Sequence, residues 1–361
     1  MPEVSEHITA ALREACPEPP RALWPALISC ADGQGVLPLL ARAAEQSGWN
    51  TELRVQLHGH AAAEAAHALL RRRELQRVSA AFSAANVPVF LIKGAHLEEA
   101  CYEAVGLRPR SDSDLFIREK DRSEVRRLLI SAGYAPAPHI RGTVAFTQFH
   151  FVREDDHGLI HPLDVHWRIS NAGAFASRLW WSDFWRRRSQ APGMAAGTFV
   201  PSLPLALLIA CIHRVAHHQC SERMIWLYDI HAIAGRLGTD EFDDVTRLAI
   251  ERGMLQVMRS GLQATIRHYA TPLPESVLNR LSGAHDADVE VQRFLDGSLS
   301  TTEVLLSDWR QLRGFALRFA FLREHVFPDP DFIRSRYGIS NSLALPFLYA
   351  RRLAAGALRW L

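Results

Sequence analysis

At 361 residues, 48% hydrophobic and 22% charged, the chain has the size of two or three core-bearing units and the composition of a globular protein. A net charge of +2 without a long basic block selects no polyanionic partner, and five cysteines without a Cys-x-x-Cys spacing exclude a disulfide framework or a structural zinc site. The N-terminus lacks a basic-then-apolar leader, and the longest uncharged apolar run, near Leu203 to Ile212, is far short of the ~20 residues a membrane helix needs; a soluble cytoplasmic protein without a membrane partner is expected.

In chain order, residues 1 to about 35 carry Pro-Glu-Pro-Pro and Trp-Pro, which predict irregular chain with one short helix. From Leu37 to Ala85 apolar residues recur at three- and four-residue spacing, and Ala61 to Ala80 reads as one long helix with Arg71-Arg72-Arg73 on a solvated face. Asn86 stops it. Val87 to Ile92 and Asp114 to Ile117 read as strands, with a helix from Ala95 to Tyr102 and an arginine-rich loop from Gly106 to Ser111 between them. A helix opens at Asp121 and stops at Gly133. Thr143 to Arg153 and Leu159 to Ile169 read as strands joined by the hairpin turn Glu154–Gly158. This order predicts a small mixed sheet with helices on one face.

Beyond about residue 200 the pattern is helical again: Leu205 to His218, Glu222 to Arg236, Phe242 to Glu251, Leu255 to Tyr269, Pro274 to Leu281, Trp309 to Glu324 and the tail beyond Leu343. The aromatic residues Trp180, Trp181, Phe184 and Trp185 follow helical spacing and read as core or as a seam between units, with a base-stacking platform as the alternative.

Asp112 and Asp114 flank one residue at the start of an apolar strand, so both point to the same face. Two carboxylates side by side repel unless a cation lies between them, which points to a divalent metal, Mg2+ first, since it takes oxygen ligands and keeps phosphate oxygens as others. Asp164, a lone acid within Leu163-Asp-Val-His-Trp, is the best third ligand. A turn cap for the pair, or a buried arginine beside Asp164, is the bland alternative. His166 and Arg168 share the Asp164 face and could reach phosphates or orient that acid; His166 could equally be a packed histidine. Lys93 would supply a point charge or pair with a nearby acid, and Gly94 would let backbone approach a phosphate. Arg108 and Arg110 could grip phosphates bidentately or lie solvated. His213, His217, His218 and Cys220 cluster near a helix end, with Asp229 and His231 on the next helix, but no Glu follows His213 in the metalloprotease pattern. No Gly-x-Ser-x-Gly, Walker-type loop or dinucleotide glycine pattern occurs.

Lys93-Gly94, Tyr102, Arg-Pro-x-Ser111-Asp112-x-Asp114-Leu, Gly133-Tyr134 and Asp164-x-His-Trp-Arg168 together resemble the uncharacterised nucleotidyltransferase family of the DNA polymerase β superfamily. The closing stretch Phe327-Pro-Asp-Pro, Arg336-Tyr-Gly338 and Tyr349-Ala-Arg-Arg352 is similar to that family's C-terminal end, so the resemblance spans about residues 35–355. It implies that Asp112, Asp114 and Asp164 are the metal-binding and catalytic acids, the third able to act as general base. The expected nucleotide contacts are Lys93, Gly94, Arg108, Arg110, Ser111, His166 and Arg168. His213 and Trp226 to Asp229 match a family pattern that suggests a cleft wall. The superfamily's usual Gly-Ser phosphate turn is here Lys93-Gly94, with Ala95 in the serine-like place.

The reading is an α+β protein: a small mixed β-sheet nucleotidyltransferase core at 86–200, an N-terminal helical region at 1–85 and a C-terminal helical domain at 201–361. The expected activity is Mg2+-dependent transfer (Mn2+ as the alternative ion) of a nucleoside monophosphate from a nucleoside triphosphate such as ATP to an acceptor hydroxyl, releasing pyrophosphate. A small molecule, peptide or protein acceptor is favoured over nucleic acid. The alternatives are a non-catalytic nucleotide- or partner-binding protein on the same fold and a kinase-like phosphotransferase.

Overall fold

Seven strands form one mixed sheet in the computed structural model, which describes residues 2–14, 16–137, 146–217, 223–282, 288–297, 299–339 and 342–360. They are β1 (Val89–Ile92), β2 (Ser113–Ile117), β3 (Ala135–Pro136), β4 (Gln148–Glu154), β5 (Ile160–His166), β6 (Arg188–Gln190) and β7 (Thr198–Pro201), in the spatial order β3-β4-β5-β2-β1-β7-β6. β1 runs antiparallel to β2 and parallel to β7, and β2 runs parallel to β5. The β4–β5 hairpin turns where Asp155 and Gly158 predict it, with Gly158 at φ +75°. β3, β6 and β7 were not predicted; at two to four residues each they are too short to leave a periodicity.

Before the sheet come α1 (Pro2–Arg13), α2 (Trp24–Gly33), α3 (Leu37–Gln46) and α4 (Thr51–Ala84). The N-terminal residues are thus more helical than expected: Pro25 sits in the first turn of α2, where a missing N–H costs nothing. Asn50 caps α4 by accepting from Glu52 N at 2.8 Å, and Asn86, at φ +55°, ends the turn that follows it. Arg71 is not solvated as the sequence suggests; it is buried and paired with Glu64, while Arg72 pairs with Glu99 and Arg73 alone of the three is exposed.

Within and after the sheet come α5 (Lys93–Cys101), α6 (Arg122–Ser131), α7 (Gly173–Ala176), α8 (Trp181–Arg186), α9 (Leu203–Ala216), α10 (Met224–Ala234), α11 (Thr239–Glu251), α12 (Leu255–Tyr269), α13 (Glu275–Ser282), α14 (Val289–Leu295), α15 (Thr301–Gln311), α16 (Phe315–Val326), α17 (Pro330–Tyr337) and α18 (Leu345–Trp360). The expected helix from Trp309 to Glu324 is two, because Gly314 adopts φ +90° between α15 and α16. The predicted ends at Thr143, His218 and Glu222 lie outside the described residues.

Helices cover both faces of the sheet, not one. Val89, Leu91, Leu115 and Ile117 face Leu75, Val78 and Phe82 of α4 and Val125 and Leu129 of α6. The alternate residues Phe90, Ile92 and Phe116 join the larger core shared by the N-terminal and C-terminal helices. There Phe116 stacks on Phe184 at 4.2 Å and Phe90 meets Trp181 edge-on at 5.0 Å, so Phe184 is core and Trp181 packs against it, whereas Trp180 and Trp185 are exposed. Both faces of β1 and β2 are buried, which is why they read as unbroken apolar runs.

His96 on α5 is 5% exposed, its Nε2 has no partner among the described residues, and burial pushes its pKa down to about 4. The folded pKa lies below the unfolded one, so the unfolded chain takes up the proton first as the pH falls. The stability is complete above about pH 6.5 and drains away toward pH 4, by ~3 kcal/mol from this residue. Denaturant titrations between pH 7 and 4 are expected to have a shallower slope for His96→Leu than for the wild type.

Candidate active site

The strand register assembles the site. Asp114 lies opposite Ile92 on β1 and beside Asp164 on β5, and Asp164 lies opposite His150 on β4. One row across four strands therefore runs Ile92, Asp114, Asp164 and His150, and Lys93 follows Ile92 directly at the start of α5. The row below places His166 beside Gln148. The ligand atoms of Asp114, Asp164 and His166 lie within 4.8 Å of one another.

Each acid is held differently. Asp114 Oδ1 accepts from Lys93 Nζ at 2.8 Å and from His166 Nε2 at 2.8 Å. Burial opposes its charge, but Lys93 and His166 outweigh that and hold its pKa well below the usual carboxylate range. His166 is pushed down by burial and by Lys93 against the pull of Asp114, and its Nδ1 is buried without a partner among the described residues. Asp164 accepts from His150 Nδ1, while the Gln148 amide lies 2.6 Å from His150 Nε2, which fixes the ring. The Asp112 carboxylate accepts no hydrogen bond among the described residues. Burial, then Asp114, then Asp164 push its pKa up to about 6.

β1 runs directly into α5 through Lys93, which adopts φ +49°, a left-handed conformation costing a residue with a Cβ roughly 1–2 kcal/mol. At this turn Lys93 reaches Asp114, and Gly94 packs against the Arg108 side chain. A Cβ on Gly94 would lie 2.4 Å from Arg108 Nη1. Arg108 cannot step aside, because Nε and Nη2 grip Asp229 of α10 at 3.2 and 2.6 Å, and Tyr102 Oη donates to the same carboxylate at 2.6 Å. Gly94→Ala is therefore expected to cost about 1–3 kcal/mol, seen as a lower melting temperature, in contrast to an exposed glycine such as Gly33.

These groups line a cavity of about 490 Å3 between the sheet edge, α5, α9 and α10. Lys93, Gly94, Arg108, Arg110, Ser111, Asp112, Asp114, Asp164 and His166 all reach it. Arg168 does not: its Nη2 pairs with Glu119 at 2.7 Å and its guanidinium lies 4.6 Å from the Trp180 ring, because β5 ends at His166 and the alternation ends with it. Arg108 and Arg110 are not solvated either. Arg110 donates to Glu98 at 3.1 Å and to Ser113, so both arginines pin the loop that carries Asp112. His213 and Trp226 also line the cavity and meet edge-on at 5.7 Å, His213 stacks on His217, and His231 turns away to Thr271. His218 and Cys220 lie outside the described residues.

Sequence reasoning missed Gln148, His150 and Arg223. Gln148 and His150 alternate on β4 and could have been found by the period-two rule; Arg223 carries no signal until α10 is placed.

The mixed sheet thus sets Asp114 and Asp164 on adjacent strands, across a cavity from the tight strand-to-helix turn at Lys93 and Gly94. The chain belongs to the uncharacterised nucleotidyltransferase family, whose family model matches residues 20–270. The C-terminal stretch from Phe327 to Arg352 lies beyond the matched span. No curated protein matches the chain. No helix among the described residues is long and apolar enough to cross a membrane.

Proposed function

We propose that this protein transfers a nucleoside monophosphate from a nucleoside triphosphate to an acceptor hydroxyl. The observation that carries the reading is the convergence of Asp112, Asp114 and Asp164 on one cavity, with the Asp112 carboxylate repelled by the other two and unpartnered among the described residues. Three carboxylates form an all-oxygen donor set, which fits Mg2+ and also Mn2+; His166, as a nitrogen donor already bonded to Asp114, fits better as the group that orients that acid. When bound, the divalent ion supplies charge neutralisation at the phosphates.

The chain's own residues do the rest. Lys93 and Gly94 lie where the phosphates would approach, Lys93 as the charge and Gly94 as exposed backbone. Arg108 and Arg110 fix the Asp112 loop, one against α10 and the other against α5. The acceptor oxygen attacks the α-phosphorus, the α–β bridging P–O bond breaks, pyrophosphate leaves, and the acceptor proton passes to Asp164. The Gln148–His150 pair holds Asp164 in place for that transfer. The cavity volume suits a nucleotide with a small acceptor group, and ion pairs take up two of its lining arginines, Arg108 and Arg110, which supports a small molecule, peptide or protein acceptor over a polynucleotide.

Calorimetry with ATP, GTP, CTP and UTP, with and without Mg2+, tests this reading. Mg2+-dependent binding of at least one triphosphate is expected; no binding in any combination counts against it. One observation favours the second reading, a non-catalytic binding protein: Lys93 already neutralises Asp114 without a metal. Tight triphosphate binding that Mg2+ does not strengthen would select it.

A further inference from the structure

We propose that Arg223 binds the terminal phosphates of the nucleoside triphosphate and so makes the site select triphosphate over monophosphate. The inference rests on the nucleotidyltransferase reading and adds a residue from the C-terminal helices to it.

The argument is a charge account of the cavity. A triphosphate needs cations beyond those at the metal-binding acids, and charge-assisted hydrogen bonds from arginine are its strongest protein ligands. Of the other lining cations, Lys93 is paired with Asp114, Arg108 is bound bidentately to Asp229, and Arg110 is bound to Glu98. Each is spent on holding the fold of the site. Arg223 also lines the cavity, is half-buried, and has no carboxylate within ion-pair distance among the described residues. Asp32 lines the same cavity but is not its ion-pair partner.

Its setting keeps it there. Arg223 caps α10, and the first two amides of that helix are taken by Gln34, whose Oε1 accepts from Met224 N at 3.0 Å and whose carbonyl accepts from Ile225 N at 3.3 Å. The helix end is thereby tied to the turn between α2 and α3. The guanidinium lies over the Trp226 ring, 5.3 Å from its centroid, a cation–π contact that helps hold it at the cavity wall. Gly35, at φ +71°, makes room: a Cβ there would lie 3.4 Å from Arg223 Nη2 and 3.2 Å from Ile225 Cγ2. Burial, then Arg108, push the Arg223 pKa down, while Asp112 pulls it up; the guanidinium therefore sits within electrostatic reach of both. It has the position of a group that waits for an anion reaching from Asp112 toward α10.

Arg223→Ala, Arg223→Gln and Arg223→Lys should be titrated in Mg2+ with the tri-, di- and monophosphate of whichever base the wild type binds best, and melted without ligand. Arg223→Ala and Arg223→Gln should lose roughly 10- to 100-fold in triphosphate affinity, with monophosphate affinity changed by less than about 3-fold. Arg223→Lys should recover part of the loss. If Arg223→Ala does not fold, the Arg223→Gln titration decides by the same criteria. Triphosphate binding equal to wild type in a folded variant, or an equal loss for monophosphate, overturns the role of Arg223 and leaves the nucleotidyltransferase reading standing. A wild type that binds no triphosphate overturns both.

Discussion

Replacing Asp112 by Asn is expected to weaken Mg2+-dependent triphosphate binding by roughly 100-fold, more than loss of a group that only orients a ligand, while making the ligand-free protein more stable by about 1–2 kcal/mol. The two effects have opposite signs for one reason. In the free protein the Asp112 carboxylate is partly buried, accepts no hydrogen bond among the described residues, and is repelled by Asp114 and Asp164, which with burial lifts its pKa to about 6. Removing that charge relieves the free protein and deprives a bound cation of an oxygen ligand. Asp114 behaves otherwise, because Lys93 and His166 both depend on it. Asp114→Asn should destabilise the free protein as well, so only Asp112→Asn separates function from folding. Calorimetry gives the first effect and urea unfolding the second. A variant that binds as well as wild type, or that unfolds more easily, would contradict the assignment.

Asp229→Ala should be the most damaging single change to the fold around the site, at about 3–5 kcal/mol. Asp229 is 4% exposed and takes two bonds from Arg108 and one from Tyr102. Its loss leaves a buried guanidinium without its counter-ion and a buried hydroxyl without an acceptor. Arg108 in turn packs on Gly94, so the turn that faces the phosphates should loosen with it. Urea unfolding should show the full loss. Arg108→Met combined with Asp229→Leu should recover much of the stability, since both charges then leave together, yet not the triphosphate binding. A loss below about 1 kcal/mol for Asp229→Ala would mean that the pair contributes little.

The core of this site was legible because strand chemistry is local. Asp112-x-Asp114 at the start of one apolar run and Asp164 within another are period-two statements, and the parallel register of β2 and β5 sets Asp114 beside Asp164. Lys93 was legible as an odd residue at a strand end, but its two readings were not separable until the folded chain put its Nζ 2.8 Å from Asp114. The arginines were the weak point. Arg108, Arg110 and Arg168 look alike in sequence, yet their partners lie 121, 12 and 49 residues away, and only the folded chain decides that all three are spent on pairs. The short strand β7, which lies beside β1, and the second helical layer were illegible for the same reason. Four residues give no period, and a helix pattern does not say which sheet face it covers.

The most direct test of nucleotidyl transfer is to ask which bond of the triphosphate breaks. The protein, Mg2+ and a triphosphate labelled at the α- or the γ-phosphorus would be incubated with fractionated small-molecule and peptide acceptors. The account predicts release of pyrophosphate and an acceptor heavier by a nucleoside monophosphate carrying the α label, with both lost in Asp112→Asn. An acceptor carrying the γ label, with a nucleoside diphosphate left behind, would contradict it and assign a phosphotransferase.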